Sequence, residues 1–450
     1  MSGAPIRAGE GGLADAEIGR LLATLPKGID LGLERIRALL ETLGNPQSRL
    51  PPTVHVAGTN GKGSTIAFAR AILEADGRAT HVHTSPHLVA WAERYRLGVA
   101  GGRGELVADA VLADAVARAA AANGDRPTTV FEILTAVTFL LFSEHPADAV
   151  LLEVGLGGRF DATNVIESPA ATLVASVSLD HQSYLGDRVE LVAAEKAGIF
   201  KRGVPAVVGH QGESVALEVL VRQAERLHAP LSVYGQDFFA HEEHGRLVYQ
   251  DERGLLDLPM PRLVGRHQGA NAALAIAGLR AGGFEPSVGA IEAGLVAAEW
   301  PGRLQRLTGG PIVAAAPTGS EILIDGGHNP GAGVVVAEAI AEMEDRVQRP
   351  LVLVCGMLST KDPVGFFEAF AGMARQVFTV PIASSDMGME PGMLAAAAQA
   401  AGLDAEPAAD VGDAIAAIRL EAGEAPPRIL ICGSLYLVGE VLARSGLPPR

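Results

Sequence analysis

The sequence is poor in cysteine and has no long hydrophobic run. Of its 450 residues only two are cysteines, Cys355 and Cys432, and each lies inside a run rich in Val, Leu and Ile. We expect two buried, reduced thiols in parallel strands, with a disulfide between them as the alternative. The longest apolar run, from Ile133 to Phe142, is far shorter than a membrane span, and the first 19 residues contain no apolar segment of a secretory signal. The sequence therefore predicts a cytoplasmic protein with no membrane partner.

Positive charge is also scarce. Lys and Arg number 36 against 52 Asp and Glu, which gives a formal net charge of −16. A nucleic-acid-binding protein needs a basic face to neutralise phosphates, so we expect no nucleic-acid partner. An anionic substrate must then be held by local Lys or Arg side chains, by a metal ion or by helix N-termini, against the overall field.

The length favours two or three domains, and 48% hydrophobic residues are enough to fill their cores. Short β-branched runs alternate with helical stretches along the first half of the chain. Such apolar strands alternating with helices predict an α/β fold with a mostly parallel sheet, covered on both faces. The predicted strands are 53–57, 79–83, 148–154, 170–178 and 204–208.

The alternation of strands and helices changes after residue 208. Residues 237–261 alternate and turn like short antiparallel strands, which predicts a meander at the edge of the sheet, and a helix is predicted over 268–283. EWPGRLQRL (299–307) combines Pro, Gly and two Arg, as is typical of a linker. We therefore predict an N-terminal domain over residues 1–304 and a smaller α/β domain over 305–450. The second domain's predicted strands are 321–327, 350–356, 376–380 and 428–434.

HVAGTNGKGST (55–65) lies between a predicted strand and a predicted helix, which is the context of a phosphate-binding loop. It departs from G-x-x-x-x-G-K-[ST], because Gly63 separates Lys62 from the hydroxyl of Ser64. Glycines let backbone N–H groups curl around an anion, and Lys62 can reach the outer phosphates. A turn that serves packing alone is the alternative. STKDP (359–363) has the wrong spacing for the guanine-recognition motif of GTPases, so we predict ATP rather than GTP.

Polar side chains follow several predicted strands. Glu153 ends an apolar strand in LLEVGLGGRFDATN (151–164), and His181 follows another strand in SLDHQSYLG (178–186). Ligands bind at this edge of open α/β sheets, and a carboxylate there suits Mg²⁺. Together with Ser64, these residues predict a metal site. The alternatives are a solvated acid and a structural histidine.

Three further side chains are candidates for the same region. Lys196 lies in an otherwise apolar helical stretch, for which a solvated lysine is the alternative. Asp325 and His328, in LIDGGHNPG (323–331), follow the first strand of the second predicted domain. They can close over a nucleotide bound to the first domain if the two domains face each other, whereas a polar turn is the plainer interpretation.

Twelve motifs occur in order from about residue 30 to 445. They are LGNPQ (43–47), GTNGKGST (58–65), TSPHL (84–88), AERYRL (92–97), LLEVGLGGRFDATN, LDHQSYLG, EKAGIFKRG (195–203), HQGANAALAI (267–276), WPGRLQ (300–305), IDGGHNPG, GMLSTKD (356–362) and CGSLYLVGEV (432–441). Together they resemble the folylpolyglutamate synthase/dihydrofolate synthase family of ATP-dependent amide ligases, related to the Mur ligases. A dozen colinear motifs are far more specific than any single one.

The resemblance implies a P-loop-type N-terminal ATPase domain, a Rossmann-like C-terminal domain and ATP bound between them. It implies that Asn271 meets the adenine and that Arg303 and Asp325 reach the nucleotide from the far side, with His328 close by. The residues implied to hold the phosphates are Asn60, Gly61, Lys62, Gly63 and Ser64.

The same resemblance assigns Mg²⁺ to Ser85, Glu153 and His181, which replaces Ser64 by Ser85 as the metal ligand. Lys196 matches a lysine that the family carries as a carbamate, which would position a second Mg²⁺. Lys62, Lys196 and His181 are the implied catalytic residues. The implied pterin-side residues are Thr129, Phe131, Arg159, Phe160, Asp161 and Ala162. Phe131 suits stacking on a flat heterocycle, with a core aromatic as the alternative.

The implied reaction joins L-glutamate to dihydropteroate, to a folate or to both, through an acyl phosphate, in a monomeric enzyme. Two departures from the family pattern are Gly327, where Ala is usual, and the glycine-rich insert GVAGGRGEL (98–106). A Mur-type ligase of another carboxylate is one alternative, although only about 50 residues precede the phosphate strand. An ATP-binding protein without ligase turnover is the other.

Overall fold

The computed structural model describes residues 12–26, 31–421, 423 and 425–449. Residues 1–11 lie outside the described part. The expectation about a secretory signal largely depends on them, and the first predicted domain begins with them. The described strands form sheets of eight, three and six strands. The fold is therefore α/β with mixed, mostly parallel sheets, as the sequence predicts.

The eight-stranded sheet has the order β4-β3-β2-β5-β1-β6-β7-β8, in which β3 and β4 are antiparallel to their neighbours and the other pairs are parallel. Because β2, β5, β1 and β6 are parallel neighbours, their carboxyl ends meet at one edge. The strands are β1 Thr53–Ala57, β2 Thr80–His83, β3 Tyr95–Leu97, β4 Glu105–Leu106, β5 Ala149–Glu153, β6 Ala171–Val174, β7 Ala206–Val208 and β8 Leu231–Val233.

Helices cover both faces of this sheet. In β5, Leu151 belongs to the same buried core as residues of α3, α9 and α10, whereas its neighbour Leu152 belongs to the core formed with α1, α2, α4 and α5. Alternate side chains of a strand point to opposite faces, so both faces are buried. The helices are α1 Leu13–Thr24, α2 Glu34–Thr42, α3 Lys62–Ala75, α4 Asp109–Asn123, α5 Val130–Glu144, α6 Gln182–Leu185, α7 Val189–Lys196, α8 Ser214–Leu227, α9 His267–Ala281 and α10 Val288–Ala297, and 3₁₀ turns span Pro46–Arg49, Trp91–Arg94 and Ala197–Ile199.

The predicted antiparallel meander forms, but its predicted place at the sheet edge is wrong. Its strands β9 Phe239–Glu243, β10 Arg246–Asp251 and β11 Gly254–Pro259 make a separate three-stranded sheet. Leu247 and Tyr249, which alternate along β10, are buried in the same core as α9. Burying this apolar face on a helix places the meander over the core instead of beside β8.

The six-stranded sheet has the order β12-β13-β17-β14-β15-β16, with β12 antiparallel to β13. Cys355 and Cys432 lie opposite each other in β14 and β17 as buried, free thiols, which confirms the expectation of reduced cysteines. The elements are β12 Gln305–Arg306, α11 Pro311–Ala315, β13 Glu321–Ile324, α12 Pro330–Arg346, β14 Leu351–Cys355, α13 Pro363–Glu368, β15 Ala374–Thr379, α14 Pro391–Ala400, β16 Ala405–Pro407, α15 Val411–Glu421, β17 Arg428–Cys432 and α16 Leu435–Arg444.

This sheet begins at Gln305, close to the predicted domain boundary; the boundary itself stays a prediction. Across the described residues, no helix combines the length and the apolar character that crossing a membrane requires.

Candidate nucleotide and metal site

The glycine turn lies between the end of β1 and the start of α3. Gly61, which precedes α3, has a φ of +87°, a left-handed conformation that glycine adopts without a steric penalty. A Cβ at Gly61 would lie 2.6 Å from Oδ1 of Asn271, so Asn271 of α9 packs directly against the turn. The first N–H groups of a helix have no intrahelical partner, and here they adjoin the glycines. This is the strand–turn–helix arrangement that suits an anion.

The Lys62 ammonium folds back over this turn. Its Nζ lies 3.0 Å from the carbonyl oxygen of Gly58 and 3.3 Å from that of Thr59. Its positive charge lowers the pKa of Lys196 and opposes the rise that burial causes in the pKa of Glu153, so it lies near both groups. Lys62 thus connects the turn with the carboxylate and amine of the predicted metal site.

Gly63 and Ser64 belong to the first turn of α3. A Cβ on Gly63 would clash with the indole ring of Trp300, so this glycine lets the segment after α10 approach the turn. Ser64 is buried. Their predicted contacts with phosphate stay predictions.

Ser85 and Glu153 come together at the ends of the neighbouring strands β2 and β5. The Ser85 backbone N–H donates to Oε2 of Glu153 over 3.1 Å, and the Glu153 side chain is buried. Burial raises the pKa of Glu153, whereas the charges of Lys62 and Arg303 act in the opposite direction. A buried carboxylate with cations nearby is a suitable ligand for a hard cation.

Asp180, after β6, is the centre of a network that reaches the second sheet. Lys361 Nζ lies 2.5 Å from its Oδ1, Asn329 Nδ2 donates to Oδ2 over 3.1 Å, and His328 Nε2 lies 3.4 Å from Oδ2. Burial disfavours the carboxylate, but the hydrogen bond from His328 and the charge of Lys361 outweigh it and hold the pKa of Asp180 well below its usual range. Asn329 also exchanges hydrogen bonds with Asn60 of the glycine turn.

His181 lies beside this network. Its Nε2 is 3.9 Å from Oδ2 of Asp180, and its backbone is left-handed with a φ of +53°. Burial, aided by the charges of Lys361 and His328, lowers its pKa to about 3 despite Asp180. The imidazole is therefore neutral at pH 7, which is the form that binds a metal ion.

Lys196, the last residue of α7, is buried. Burial and the charge of Lys62 lower its pKa to about 7, while Asp180, Asp161 and Glu195 act in the opposite direction. The neutral form of the amine is therefore populated near pH 7. A neutral amine is the form that reacts with CO₂ to give a carbamate.

Arg303 and Asp325 meet where the segment after α10 joins β13. Asp325 accepts from the backbone N–H of Leu304 over 2.9 Å and of Gly327 over 2.7 Å. Burial raises the pKa of Asp325 and the charge of Arg303 lowers it, so the two side chains interact. Their predicted contacts with the nucleotide stay predictions.

The predicted pterin-side residues divide into two groups. Thr129 caps the N-terminus of α5 in a capping box with Glu132, and Phe131 packs so closely on Gly155 that a Cβ there would clash with its ring. Phe131 thus supports the glycine-rich loop after β5. Phe160 is 37% exposed, and the Arg159 guanidinium lies 4.9 Å from its ring centroid.

Asp161 and Ala162 are turned inward. The Asp161 carboxylate accepts from the backbone N–H of Leu156 over 2.8 Å and of Thr163 over 3.0 Å, which shapes the loop. Ala162 is packed in the core. Contacts of these two residues with a substrate stay predictions, without support from the side-chain positions.

No group of three or more His, Cys, Asp or Glu side chains that could hold a metal ion is found in residues 12–26, 31–421, 423 and 425–449. The structure joins Ser85 to Glu153 but places His181 next to Asp180. A magnesium site here would therefore combine the Ser85 hydroxyl and a modified Lys196 with the Glu153 carboxylate and the His181 imidazole. Sequence reasoning also missed Lys361 and Asn329 as partners of Asp180, because no local signal marks them.

Family models match both parts of the chain. A model described as Mur ligase middle domain matches residues 56–279, and one described as Mur ligase, glutamate ligase domain matches residues 302–435. The folylpolyglutamate synthase of Lacticaseibacillus casei is 32% identical over 424 residues, covering 90% of this chain and 92% of that protein. The dihydrofolate synthase/folylpolyglutamate synthase of Escherichia coli is 33% identical over 417 residues, covering 92% of each.

Solved structures agree with these matches. Escherichia coli FolC in complex with DHPP and ADP has a TM-score of 0.84 at 32% identity, covering 96% of this chain and 97% of that chain. The bifunctional enzyme of Yersinia pestis complexed with AMPPNP and Mn ion has a TM-score of 0.82 at 31% identity, covering 96% and 98%. The chain therefore belongs to the folylpolyglutamate synthase/dihydrofolate synthase family and has its Mur ligase architecture.

Proposed function

We propose that this protein is an ATP-dependent ligase that joins L-glutamate to dihydropteroate, to a reduced folate or its polyglutamates, or to both. One observation carries the proposal. The glycine turn with Lys62 and the buried Glu153–Ser85 pair converge at one sheet edge, in a chain that enzymes of this name match over about nine tenths of its length. Structures of relatives with ADP, with AMPPNP and Mn ion, and with L-glutamate support the same substrates.

The reaction needs a leaving group, because attack on a carboxylate would have to expel oxide. Transfer of the γ-phosphoryl group of ATP to the acceptor's carboxylate gives an acyl phosphate and ADP. The amine of glutamate then forms the amide bond as the acyl C–O bond breaks, releasing phosphate and a proton to solvent. Lys62 and the N–H groups at the start of α3 stabilise the charge on the transferring phosphoryl group.

The residues at the site fit a divalent cation. Glu153 is a buried carboxylate that accepts from the Ser85 backbone N–H, the low pKa of His181 keeps its imidazole neutral, and the lowered pKa of Lys196 allows a carbamate. We assign Mg²⁺ to Ser85, Glu153 and His181, and a second ion to carbamylated Lys196. When bound, Mg²⁺ supplies electrostatic stabilisation of the phosphate oxygens.

On the nucleotide side, Asn60, Gly61, Gly63 and Ser64 would surround the phosphates with Lys62, and Asn271 would contact the base. Arg303, Asp325 and His328 would reach the nucleotide from the second sheet. On the acceptor side, exposed Phe160 with Arg159 provides the surface for a flat heterocycle, and Thr129 and Phe131 position the loop. From the resemblance to this family, we propose a monomer that acts in the cytoplasm.

The test follows phosphate release with ATP, Mg²⁺ and glutamate, adding dihydropteroate or tetrahydrofolate in separate reactions. We expect at least one acceptor to stimulate release, and only when glutamate is present. Glu153→Gln, which keeps the size but removes the charge, should lower kcat at least a hundredfold. ATP binding without glutamate-dependent release by any acceptor would identify a non-ligase, and stimulation only by a different carboxylate would identify another Mur-type ligase.

A further inference from the structure

A large cavity adjoins the Ser85–Glu153 pair on the side of α3 and β3. Its volume is about 930 Å³, and its wall runs from Ser85 and Glu153 along α3 to the segment 298–306. Sites for small molecules commonly measure about 300–1,000 Å³. The cavity is therefore large enough for part of a substrate whose reacting end lies at Glu153.

Arginine dominates the part of this cavity farthest along α3. One carboxylate, Glu299, serves two of these arginines, at 2.6 Å from Arg103 and 2.8 Å from Arg262. Glu74, at 4.0 Å from Arg70, is the second carboxylate nearby. The whole wall of the cavity carries six arginines and four glutamates, in a chain whose net charge is −16. The four arginines in this part are Arg70, Arg96, Arg103 and Arg262.

Arg70 is the least satisfied of the four. Arg70 as a whole is only 6% exposed, and its Nε is buried without a hydrogen-bond partner among the described residues. Its nearest carboxylate, on Glu74, already accepts the Gly104 backbone N–H over 2.9 Å. Burial lowers the pKa of Arg70 and also that of Arg96, to about 10. For Arg70, a buried guanidinium whose Nε–H has no partner is costly unless an anion completes it.

Resting on the proposed ligase activity, we propose that this cavity is a carboxylate subsite in which Arg70 binds a carboxylate of a glutamyl group next to the reacting centre. The planar fork of a guanidinium matches a carboxylate with two parallel hydrogen bonds. Two sources supply this chemistry. One is a glutamyl residue already attached to a folate acceptor, and the other is the incoming glutamate.

The two acceptors separate these sources. Dihydropteroate has a single carboxylate, which is the one that reacts, so it brings none for the subsite. Tetrahydrofolate and its γ-linked diglutamate each bring at least one further carboxylate. The KM of each acceptor and of glutamate is measured for the wild type, Arg70→Met and Arg70→Lys.

Arg280→Met is the matched control. Arg280 is also a helical arginine with a largely covered side chain, 12% exposed, but it is paired with Asp251 at 2.6 Å. Replacing it should lower the denaturation midpoint and leave the KM values within twofold. Arg70→Met removes a buried charge that is only loosely paired, with Glu74 at 4.0 Å, so its midpoint should fall less than that of Arg280→Met. A purely structural Arg70 would behave like Arg280.

We expect Arg70→Met to raise the KM of the folate acceptors at least tenfold while that of dihydropteroate changes less than twofold, with Arg70→Lys in between. A tenfold rise in the KM of glutamate with both acceptors also supports the subsite and assigns it to the incoming amino acid. Unchanged KM values for all three substrates overturn the proposal.

A direct binding measurement separates this proposal from the proposed function. Calorimetry with γ-linked triglutamate should show binding to the wild-type protein and at least tenfold weaker binding to Arg70→Met. If no acceptor supports turnover but this difference is found, the ligase assignment fails and the carboxylate site stands. If turnover occurs and the triglutamate binds both proteins equally, the subsite fails alone.

Discussion

The ammonium of Lys361 lies 2.5 Å from Oδ1 of Asp180, although 181 residues separate them along the chain. Asp180 follows β6 of the eight-stranded sheet, whereas Lys361 follows β14 of the six-stranded sheet. Both side chains are less than 10% exposed. With the Asn60–Asn329 pair, this ion pair fixes the loops of the second sheet against the glycine turn.

Replacing Lys361 by Met should therefore weaken both stability and nucleotide use. Removing one partner of a buried ion pair costs about 3–5 kcal/mol, because the other charge is left without its counterion. We expect a lower midpoint of urea denaturation and at least a tenfold lower kcat/KM for ATP. Asp180→Asn in the same chain should restore part of the stability, with a coupling of about 0.5–3 kcal/mol. Additive effects of the two changes would show that the pair is not coupled.

Gly63 and Gly289 form a matched pair for testing the approach of Trp300 to the turn. Each is the second residue of a helix, but a Cβ on Gly63 would clash with the Trp300 ring, whereas nothing lies within 4 Å of one on Gly289. We expect Gly63→Ala to cost about 1–3 kcal/mol through overpacking. Gly289→Ala should be neutral or stabilise by up to about 1 kcal/mol. The KM for ATP should rise only in Gly63→Ala, and equal behaviour of the two variants would refute the proposed steric role.

Much of the site follows from local pattern, and the rest depends on long-range packing. Glu153 could be placed at a sheet edge because an apolar strand ends there, and the glycines with Lys62 mark an anion-binding turn. The Asp180–Lys361 pair could not be predicted, because it depends on how two sheets pack. Arg70 looks in sequence like an ordinary helical arginine. Only the fold buries it beside a cavity.

The same distinction explains the weaker assignments on the acceptor side. The sequence FDATN shows an acid in a glycine-rich loop, which is compatible with a substrate contact. The fold turns Asp161 toward the loop's own N–H groups and Ala162 into the core. Side-chain direction within an irregular loop has no period in the sequence, so neither could be anticipated.

Lys196 should carry a carbamate at neutral and higher pH. Its pKa of about 7 leaves a growing fraction of neutral amine as the pH rises, and only that form attacks CO₂. After incubation with ¹³C-bicarbonate at pH 8, NMR should show a carbamate carbonyl signal in the wild type that is absent from Lys196→Arg. The signal should weaken as the pH falls below 7. A wild-type spectrum identical to that of the variant would exclude the modification.

Acid should destabilise the protein between about pH 6.5 and 3 through its buried histidines. Burial, with the charges of Lys201 and His83, lowers the pKa of His55 to about 3, while its Nε2 lies 2.9 Å from Oγ1 of Thr163. Below pH 6.5 the unfolded chain binds a proton at His55 that the folded chain does not. Unfolding is therefore favoured as the pH falls, by about 1.4 kcal/mol per pH unit for each such histidine.

His55→Gln isolates this contribution, because the glutamine amide can keep a hydrogen bond to Thr163 without titrating. The free energy of unfolding should fall less steeply with acid in the variant than in the wild type between pH 6.5 and 4. Since the pKa of His83 is also lowered to about 3 by burial, part of the slope should remain. Parallel pH profiles for the two proteins would mean that His55 is protonated to the same extent in the folded and unfolded chains.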